Sequence, residues 1–412
     1  MTKVIIKPAD GTGAVETYHN AAKKFETTST GATVTGDLAV TGGLTANNYP
    51  YGKNLLTNGA MLIAQRKQGT SSTSGEYVVD MQTMAHGNAN EAPVASQADV
   101  AAGTDPYNLG FRKCFKITNG NQTTTDAGDS LAWNTRAEQQ DLANCGWNST
   151  SATDYMTVSF WMKSSVAQNF YGYIHIPVTG ATTKRYPFET GSVSADTWTK
   201  ITKTFPGHAD IALDQTTALG FAVHLSIFAG TDQTGTVTLN QWMDHDNSNR
   251  HPASTSTFWT TDNATFEVTG VKLEYNPVAT PFVLNSFAED LALCQRYYHK
   301  TYLYSTDPGT AEDAGSIFCR NYAAAGKQQN DLSYRFPVRM RETPTTVGVY
   351  AVHSGTVNRF SAGGTHPPAA HTEITFHSLK MLSDQGFSGI QSTTNVDSLD
   401  YVGAHFTFDA KL

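Results

Sequence analysis

Met156-Thr-Val-Ser-Phe-Trp-Met-Lys163 decides the fold, because its large apolar side chains recur at every second residue. Successive side chains of an extended strand point to opposite sides, so Met156, Val158, Phe160 and Met162 share one buried face. Similar strand patterns recur at 170–176, 198–205, 219–228, 236–242 and 264–274. Turn-forming residues separate these runs and no helical pattern alternates with them, which excludes a parallel βαβ sheet and predicts a sandwich or jelly roll.

Composition supports an all-β protein and excludes several classes of function. Charged residues make up 16% of the 412 residues and the net charge is −8. Nucleic-acid binding needs a basic surface, so no nucleic-acid partner is expected. No apolar run approaches the roughly 18 residues that span a bilayer, and the N-terminal segment is too short for a secretory signal. Four widely spaced cysteines predict free thiols and synthesis in a reducing cytoplasm.

The flanking regions predict three further parts. Residues 1–50 combine Gly and Thr with short β-branched runs. Their large apolar side chains are too few to bury a core alone, so an N-terminal stalk that intertwines with identical copies is expected. Residues 51–283 form the jelly roll. Ser286 and Glu289 form a capping box that predicts a linking helix over 284–300, with Phe287, Leu291, Cys294 and Tyr298 at helical spacing. Residues 301–412 return to β patterns and predict a C-terminal β-sandwich head.

Several stretches resemble tail-fibre and receptor-binding proteins of tailed bacteriophages. Residues 23–42 are similar to their Thr/Gly-rich stalks, and Asn54-Leu-Leu-Thr-Asn-Gly-Ala60 resembles the opening of their central jelly roll, a module akin to carbohydrate-binding modules. Gly270-Val-Lys-Leu-Glu274 and Ala279-Thr-Pro-Phe282 resemble its end. Leu291-Ala-Leu-Cys-Gln-Arg-Tyr-Tyr298 resembles the junction to a C-terminal head, and the order of these pieces covers nearly the whole chain.

The resemblance implies a homotrimeric virion fibre that attaches the particle to the host cell surface, by binding surface glycans. It implies virion tail or capsid partners for the N-terminus, and synthesis in the bacterial host. Two alternatives stay open: a purely structural fibre or decoration protein, and a tailspike that degrades polysaccharide. Tailspike β-helices show regular short repeats, which this sequence lacks.

Sugar-binding surfaces use aromatic rings flanked by polar side chains, and four loop-like stretches supply candidates. Trp147 and Trp259 lie in polar surroundings that favour exposed rings. The run 244–251 packs carboxylates and imidazoles together, and it contributes Asp244, Asp246 and Arg250. The Gly/Pro-rich run 361–371 contributes His366 and His371. Loops of this kind carry recognition.

No catalytic residues and no cofactor are expected. Gly128-Asp-Ser-Leu131 matches the nucleophile block of one esterase family, yet no histidine follows an aspartate by three residues, and a turn before a strand is the preferred interpretation. GxSxG, GxxxxGK[ST] and HExxH are all missing from the sequence. Jelly rolls of the carbohydrate-binding type often hold a structural calcium ion, for which Glu274 and carbonyls around Asn58 are the candidate ligands. Their spacing does not establish that they meet, so no metal is assigned.

Overall fold

The computed structural model describes residues 3–6, 15–19, 22–28, 31–35, 52–178, 180, 182–320, 327–363, 372–396 and 401–412. The chain divides into two compact units, residues 1–49 and residues 50–412. Strands dominate both, which confirms the all-β fold class. Within the described ranges, no helix combines the length and the apolar character that crossing a membrane requires.

The first unit contains a four-stranded antiparallel meander in which each strand pairs with the next. Its strands are β1 (Lys3–Ile6), β2 (Val15–His19), β3 (Ala22–Thr28) and β4 (Gly31–Val34). Residues 36–50 of the predicted stalk lie outside the described residues. Intertwining with other copies stays a prediction.

The second unit begins with a sandwich of two six-stranded sheets. The strands are β5 (Thr70–Ser71), β6 (Gln82–Gly87), β7 (Val94–Asp99), β8 (Lys113–Thr118), β9 (Ser130–Glu138), β10 (Tyr155–Ser164), β11 (Gln168–Ile176), β12 (Lys184–Val193), β13 (Thr199–Pro206), β14 (Leu219–Ala229), β15 (Met243–Asp244) and β16 (Thr265–Glu274). The first sheet has the order β13-β10-β16-β8-β7-β5 and the second sheet the order β15-β12-β11-β14-β9-β6. Short helices α1 (Asp105–Asn108) and α2 (Gln139–Ala143) and a 3₁₀ turn at 231–233 lie in the connections.

The core lies between the two sheets, where the predicted apolar face of β10 is buried. Phe160 of β10 packs against Trp133 of β9 with ring centroids 5.6 Å apart, and neither residue is exposed. Phe170 of β11 makes an edge contact with Phe266 of β16 across the same layer. Aromatic pairs therefore connect the two sheets at more than one position in the core.

The prediction of a strand at 236–242 is wrong. This segment is irregular, and the two-residue strand β15 begins only after it. It runs beside β12, the neighbouring strand of the sheet. Pro187 of β12 has no N–H to donate, and its carbonyl accepts a single hydrogen bond from Asn240. A full ladder cannot form along such an edge.

The linking helix is shorter than predicted. α3 spans Phe287–Gln295 and begins with the predicted capping box of Ser286 and Glu289. The predicted continuation to residue 300 is wrong, because Tyr298–Lys300 form β17. Tyr298 there pairs with Asp409, so tertiary strand pairing replaces the next helical turn.

The C-terminal β domain is organised around its last strand. β24 (Tyr401–Asp409) pairs with β18 and β21 along its first half and with β17 and β20 along its second half. Phe406 and Phe408 of β24 lie in a separate buried cluster with Phe387. The remaining strands are β18 (Ile317–Arg320), β19 (Lys327–Arg335), β20 (Thr346–Tyr350), β21 (Arg359–Gly363), β22 (Thr372–Leu379) and β23 (Gly386–Val396).

A partly buried ion pair ties this domain to the sandwich. The Arg66 guanidinium donates to both carboxylate oxygens of Asp409, at 2.5 and 3.0 Å, and lies 4.2 Å from the centroid of the Tyr298 ring. Arg66 Nε also lies 3.8 Å from the buried Asp80 carboxylate. Burial raises the pKa of Asp80 to about 6, although Arg66 opposes that shift. One arginine thus compensates carboxylates from both domains.

Replacing Arg66 by alanine should lower the free energy of unfolding by about 3–5 kcal/mol, because it leaves two carboxylates uncompensated in a low-dielectric junction. The matched control is Arg339→Ala, whose pair with Asp384 involves an arginine side chain that is 70% exposed. The control should cost less than ~1 kcal/mol. Denaturant unfolding measures both, and equal losses would contradict the assignment of Arg66 to the junction.

Candidate functional site

The two outer faces of the sandwich differ in what lies on them. Connecting segments cover part of the outer face of the first sheet, where Phe111, Cys114 and Trp198 are buried and Phe282 packs against them. The outer face of the second sheet carries tyrosine, histidine and arginine side chains instead. A polar, aromatic sheet face of this kind is the candidate site.

The alternation along β11 builds this face. Phe170, Ile174 and Ile176 point into the core, so the intervening residues point outward: Tyr171, Tyr173 and His175. Strand register then sets their neighbours. His224 of β14 lies opposite Tyr173, and Arg185 of β12 lies opposite His175. We call the surface formed by the following residues the tyrosine–histidine face: Tyr171, Tyr173, His175, His224, Asn134 and Arg185.

Stacked rings characterise the tyrosine–histidine face. The Tyr173 and His224 rings are nearly parallel, with centroids 4.8 Å apart. Tyr171 stacks on His251 at 5.5 Å and an interplanar angle of 13°, and His175 lies 4.7 Å from His245. Such ring faces are apolar, while the imidazole nitrogens and tyrosine hydroxyls at their edges are polar. The combination suits a ligand with alternating C–H and hydroxyl surfaces.

The segment Asp244–His251, here the covering segment, lies over this face. At its start Trp242 donates to the Pro206 carbonyl at 2.7 Å and packs on Tyr186. At its end His251 pairs in a bridge with Thr234. Between these anchors Asn247 and Ser248 are exposed. The segment is therefore fixed at both ends and open to solvent in the middle.

The predicted residues of this segment have defined roles. Asp244 lies 2.6 Å from the Lys184 ammonium. The Asp246 carboxylate accepts from the Ser248 hydroxyl at 2.7 Å and from the Ser248 amide at 2.9 Å, and these bonds hold the pKa of Asp246 below its usual range. Arg250 donates to Gln233 at 2.6 Å and to Asn247 at 3.0 Å. The structure brings Asp246 and Arg250 to the edge of the tyrosine–histidine face.

Burial keeps the imidazoles of this site neutral at pH 7. It lowers the pKa of His224 to about 3 and the pKa values of His175 and His251 to about 4. A neutral imidazole offers one N–H donor and one acceptor, the complement of a sugar hydroxyl. Several buried polar atoms here have no hydrogen-bond partner within the described part of the chain: Asn134 Oδ1, Arg185 Nε and Nη2, His245 Nδ1, Asn249 Oδ1, Arg250 Nε and His251 Nε2.

The predicted exposure of the two loop tryptophans is wrong. Trp147 is 5% exposed, donates to the Asp154 carbonyl and packs edge-on against Phe205. Trp259 has no exposed surface and stacks on Phe228 at 5.0 Å. Both rings fill the core, and the polar residues around them in sequence form the loops outside it. His366 and His371 lie outside the described residues.

The candidate calcium ligands are already engaged by protein groups. The Glu274 carboxylate lies 3.1 Å from the Lys272 ammonium and accepts from the Thr280 amide at 2.8 Å. Lys272 Nζ also donates to Thr280 Oγ1 at 2.6 Å and to the Pro281 carbonyl at 3.0 Å. The Asn58 side chain bonds to Ile63 and to the Asp80 carbonyl. An ammonium therefore balances Glu274, and the described residues contain no group of three or more ligands suited to a metal.

Two clefts lie outside this face. One, of about 490 Å³, lies between residues 52–60 and the start of α3, with Asp141 and Asp290 in its wall. The other, of about 480 Å³, is formed by Tyr334, Arg335 and Phe387 of the C-terminal domain. At the second cleft Tyr334 stacks on His299, whose Nδ1 atom has no hydrogen-bond partner in the described part of the chain, whereas seven such atoms lie on the tyrosine–histidine face and its covering segment.

Comparison with known proteins gives fold neighbours alone. No protein-family model matches the sequence, and no curated protein matches it. Solved structures that it resembles include the enzymatically active domain of tailspike protein 4 of bacteriophage CBA120, with 9% identity and a TM-score of 0.28. They also include a family 11 carbohydrate-binding module from Clostridium thermocellum, with 13% identity and a TM-score of 0.24. A third is the xylan-binding domain CBM22-2 from Paenibacillus barcinonensis Xyn10C, with 12% identity and a TM-score of 0.26.

The extent of each match differs. The alignment with the tailspike domain covers 54% of this chain and 21% of that chain. Those with the two carbohydrate-binding modules cover 50% and 47% of this chain, and 96% and 91% of the modules. Because the identities and TM-scores are low, function has to be inferred from the residues of the tyrosine–histidine face.

Sequence reasoning missed the tyrosine–histidine face itself. The pattern at 170–176 predicts a strand and identifies its buried side chains. It assigns no role to the outward-facing residues Tyr171, Tyr173 and His175. Their alternation with Phe170 and Ile174 is the signal that could have found them. Arg185, on a neighbouring strand, can be placed only once the register of β12 against β11 is known.

Replacing Lys272 by methionine should destabilise the sandwich by about 3–5 kcal/mol, because Glu274 would be left as an unpaired buried charge. The double variant Lys272→Met/Glu274→Leu should recover most of that loss. EDTA should leave the melting temperature of the wild-type protein unchanged. A rise in melting temperature on adding Ca²⁺, reversed by EDTA, would contradict the role of Lys272 as the compensating cation.

Acid should loosen the covering segment. The open form has ordinary histidine pKa values near 6.5, whereas burial lowers that of His251 to about 4, so the closed form binds fewer protons and loses stability as pH falls between these values. Amide hydrogen exchange of residues 244–251, corrected for intrinsic rates, should be faster at pH 5 than at pH 7. His251→Phe keeps a ring on Tyr171 and should reduce that difference. Equal protection at both pH values would refute the mechanism.

Proposed function

We propose that this protein is a non-enzymatic glycan-binding adhesin of a virion fibre, and that the tyrosine–histidine face contacts the glycan on the host cell surface. The observation that carries the proposal is the set of stacked rings with unpartnered buried donors and acceptors on one sheet face. Pyranose rings present C–H faces to aromatic rings and hydroxyls to imidazole, amide and guanidinium groups. The assignment to a virion fibre comes from the resemblance of the sequence segments.

Adhesion without cleavage fits the carboxylates at the site. A glycosidase needs a pair of carboxyl groups, one of which retains a proton as general acid. Asp244 is paired with Lys184, and the Asp246 carboxylate accepts two bonds from Ser248, which keep it ionised. In the described part of the covering segment these are the only carboxylates, and neither has the environment of a general acid.

Glycan binding is tested by removing the rings. Tyr171→Ala and Tyr173→Ala should each weaken binding to host surface polysaccharide by roughly tenfold or more, as for buried aromatic anchors of an interface. Tyr155→Ala, on β10 of the first sheet and 37% exposed, is the matched control and should bind like the wild-type protein. Calorimetry with the purified polysaccharide measures all three.

Three outcomes would contradict this proposal. Unchanged binding in both face variants would place the glycan elsewhere, for example in the cleft near Tyr334. New reducing ends on incubation with the polysaccharide would show that the protein is an enzyme. Failure of the wild-type protein to bind susceptible cells would favour the purely structural fibre.

The fibre assembly is tested by light scattering. We propose a homotrimer in which residues 1–50 associate with other copies and with virion proteins, because that segment has few large apolar side chains to bury by itself. The full chain should have a mass of about three chains, and a variant lacking residues 1–50 should have a lower or concentration-dependent mass. A monomeric full chain would overturn the fibre assembly while leaving the glycan site intact.

A further inference from the structure

We infer that the glycan bound at the tyrosine–histidine face is acidic, and that its carboxylate binds side-on to the Arg185 guanidinium beneath the covering segment. This inference rests on the proposed glycan-binding function and names the chemical class of its ligand. The inference depends on the burial of Arg185, on its hydrogen bonds, on the charges around it and on movement of the covering segment.

Arg185 is a buried cation with two unused donors. The residue has no exposed surface. Its Nη1 atom donates to the Asp246 carbonyl at 2.7 Å, whereas Nε and Nη2 have no hydrogen-bond partner in the described part of the chain. Burying charged donors without partners is costly, and native structures seldom do so without a functional reason.

The two free donors form one edge of the guanidinium plane. In arginine, the Nε–H and one Nη2–H bond are parallel, and together they match the two oxygens of a carboxylate. The bond from Nη1 to the Asp246 carbonyl occupies the other side and fixes the orientation of the plane. Arg185 is therefore arranged to bind a carboxylate through two parallel hydrogen bonds.

The protein supplies no carboxylate of its own to this edge. Neither Nε nor Nη2 of Arg185 has a carboxylate or any other acceptor within hydrogen-bond distance in the described part of the chain. The nearby acids have other partners: Asp244 binds Lys184, Asp246 binds Ser248, and Glu189 accepts from Asn169 at 2.8 Å. Arg250 and Arg136 add further positive charge around the face. The local charge thus favours an anion.

The covering segment must lift for a ligand to reach this edge. Its middle residues Asn247 and Ser248 are exposed, and one hydrogen bond joins Arg185 to the segment through the Asp246 carbonyl. Its ends are anchored at Trp242 and His251, so opening requires movement of the residues between them. A carboxylate that enters would satisfy the two free donors, and these new hydrogen bonds offset the free energy that opening the segment requires.

The test uses pairs of oligosaccharides that differ only in whether their carboxyl groups are intact or reduced to alcohols. Oligomers of galacturonate, hyaluronate and polysialate are compared with their carboxyl-reduced counterparts by calorimetry on the full-length protein. We expect at least one acidic oligomer to bind tenfold or more tightly than its reduced counterpart. Arg185→Gln should abolish that preference, and Arg185→Lys, which keeps the charge but loses the parallel donors, should retain only part of it.

Controls separate binding from folding. Arg339→Gln, on the exposed surface of the C-terminal domain, should keep the full acid preference. Arg185→Gln should have an unchanged or higher melting temperature, because it removes a charge that is buried with unsatisfied donors. Should Arg185→Gln fail to fold, Arg185→Lys keeps the buried charge and makes the same test, because an undiminished acid preference in that variant would overturn the assignment to the Arg185 guanidinium.

Each remaining outcome overturns the inference. Equal or tighter binding of the reduced oligomers, lost in Tyr171→Ala, would show a neutral-glycan site and leave the proposed function standing. An acid preference that survives Arg185→Gln would place the carboxylate on another cation. Absence of binding to every acidic and reduced oligomer would count against both this inference and the proposed glycan site.

Discussion

The alternation of side chains along β11 and β14 is the constraint on which the candidate site depends. A strand that buries Phe170, Ile174 and Ile176 in the core must present Tyr171, Tyr173 and His175 on the opposite side. β14 obeys the same rule, with Val223 and Leu225 inside and His224 outside. Any shift of register by one residue would place rings and imidazoles in the core. Burial of alternate residues in the sandwich core therefore also determines which residues of these strands lie on the outer face.

Polar groups on that surface carry a cost that the core must offset. Arg185, His251 and Asn134 are buried, and each keeps a polar atom without a partner in the described part of the chain. Each such group subtracts about 1–3 kcal/mol from stability. Other buried charges have charged partners: Lys272 lies beside Glu274, and Arg296 binds both oxygens of Glu138. Unpartnered polar atoms also occur elsewhere, such as Asp129 Oδ1, but seven of them lie together on the tyrosine–histidine face and its covering segment, and this concentration favours a ligand site there.

The sequence predicted what depends on local pattern. The strands β10, β11, β14 and β16, the capping box at Ser286 and the all-β class follow from alternation and short-range chemistry. The errors arose where tertiary neighbours decide. Tyr298 lies in a strand and not in the helix because it pairs with Asp409. Residues 236–242 form no strand because the neighbouring edge of β12 is interrupted at Pro187. Trp147 and Trp259 turn inward because they pack on the buried rings of Phe205 and Phe228, contacts that the polar flanking residues do not reveal.

The place where a glycan touches the protein is the central claim to test. The most direct measurement is an NMR spectrum of the histidine rings with and without host surface glycan, since the thirteen histidines are spread over the chain. We predict that His175, His224, His245 and His251 change while His299 and His405 of the C-terminal domain do not. Changes confined to histidines outside the tyrosine–histidine face would contradict the proposed site.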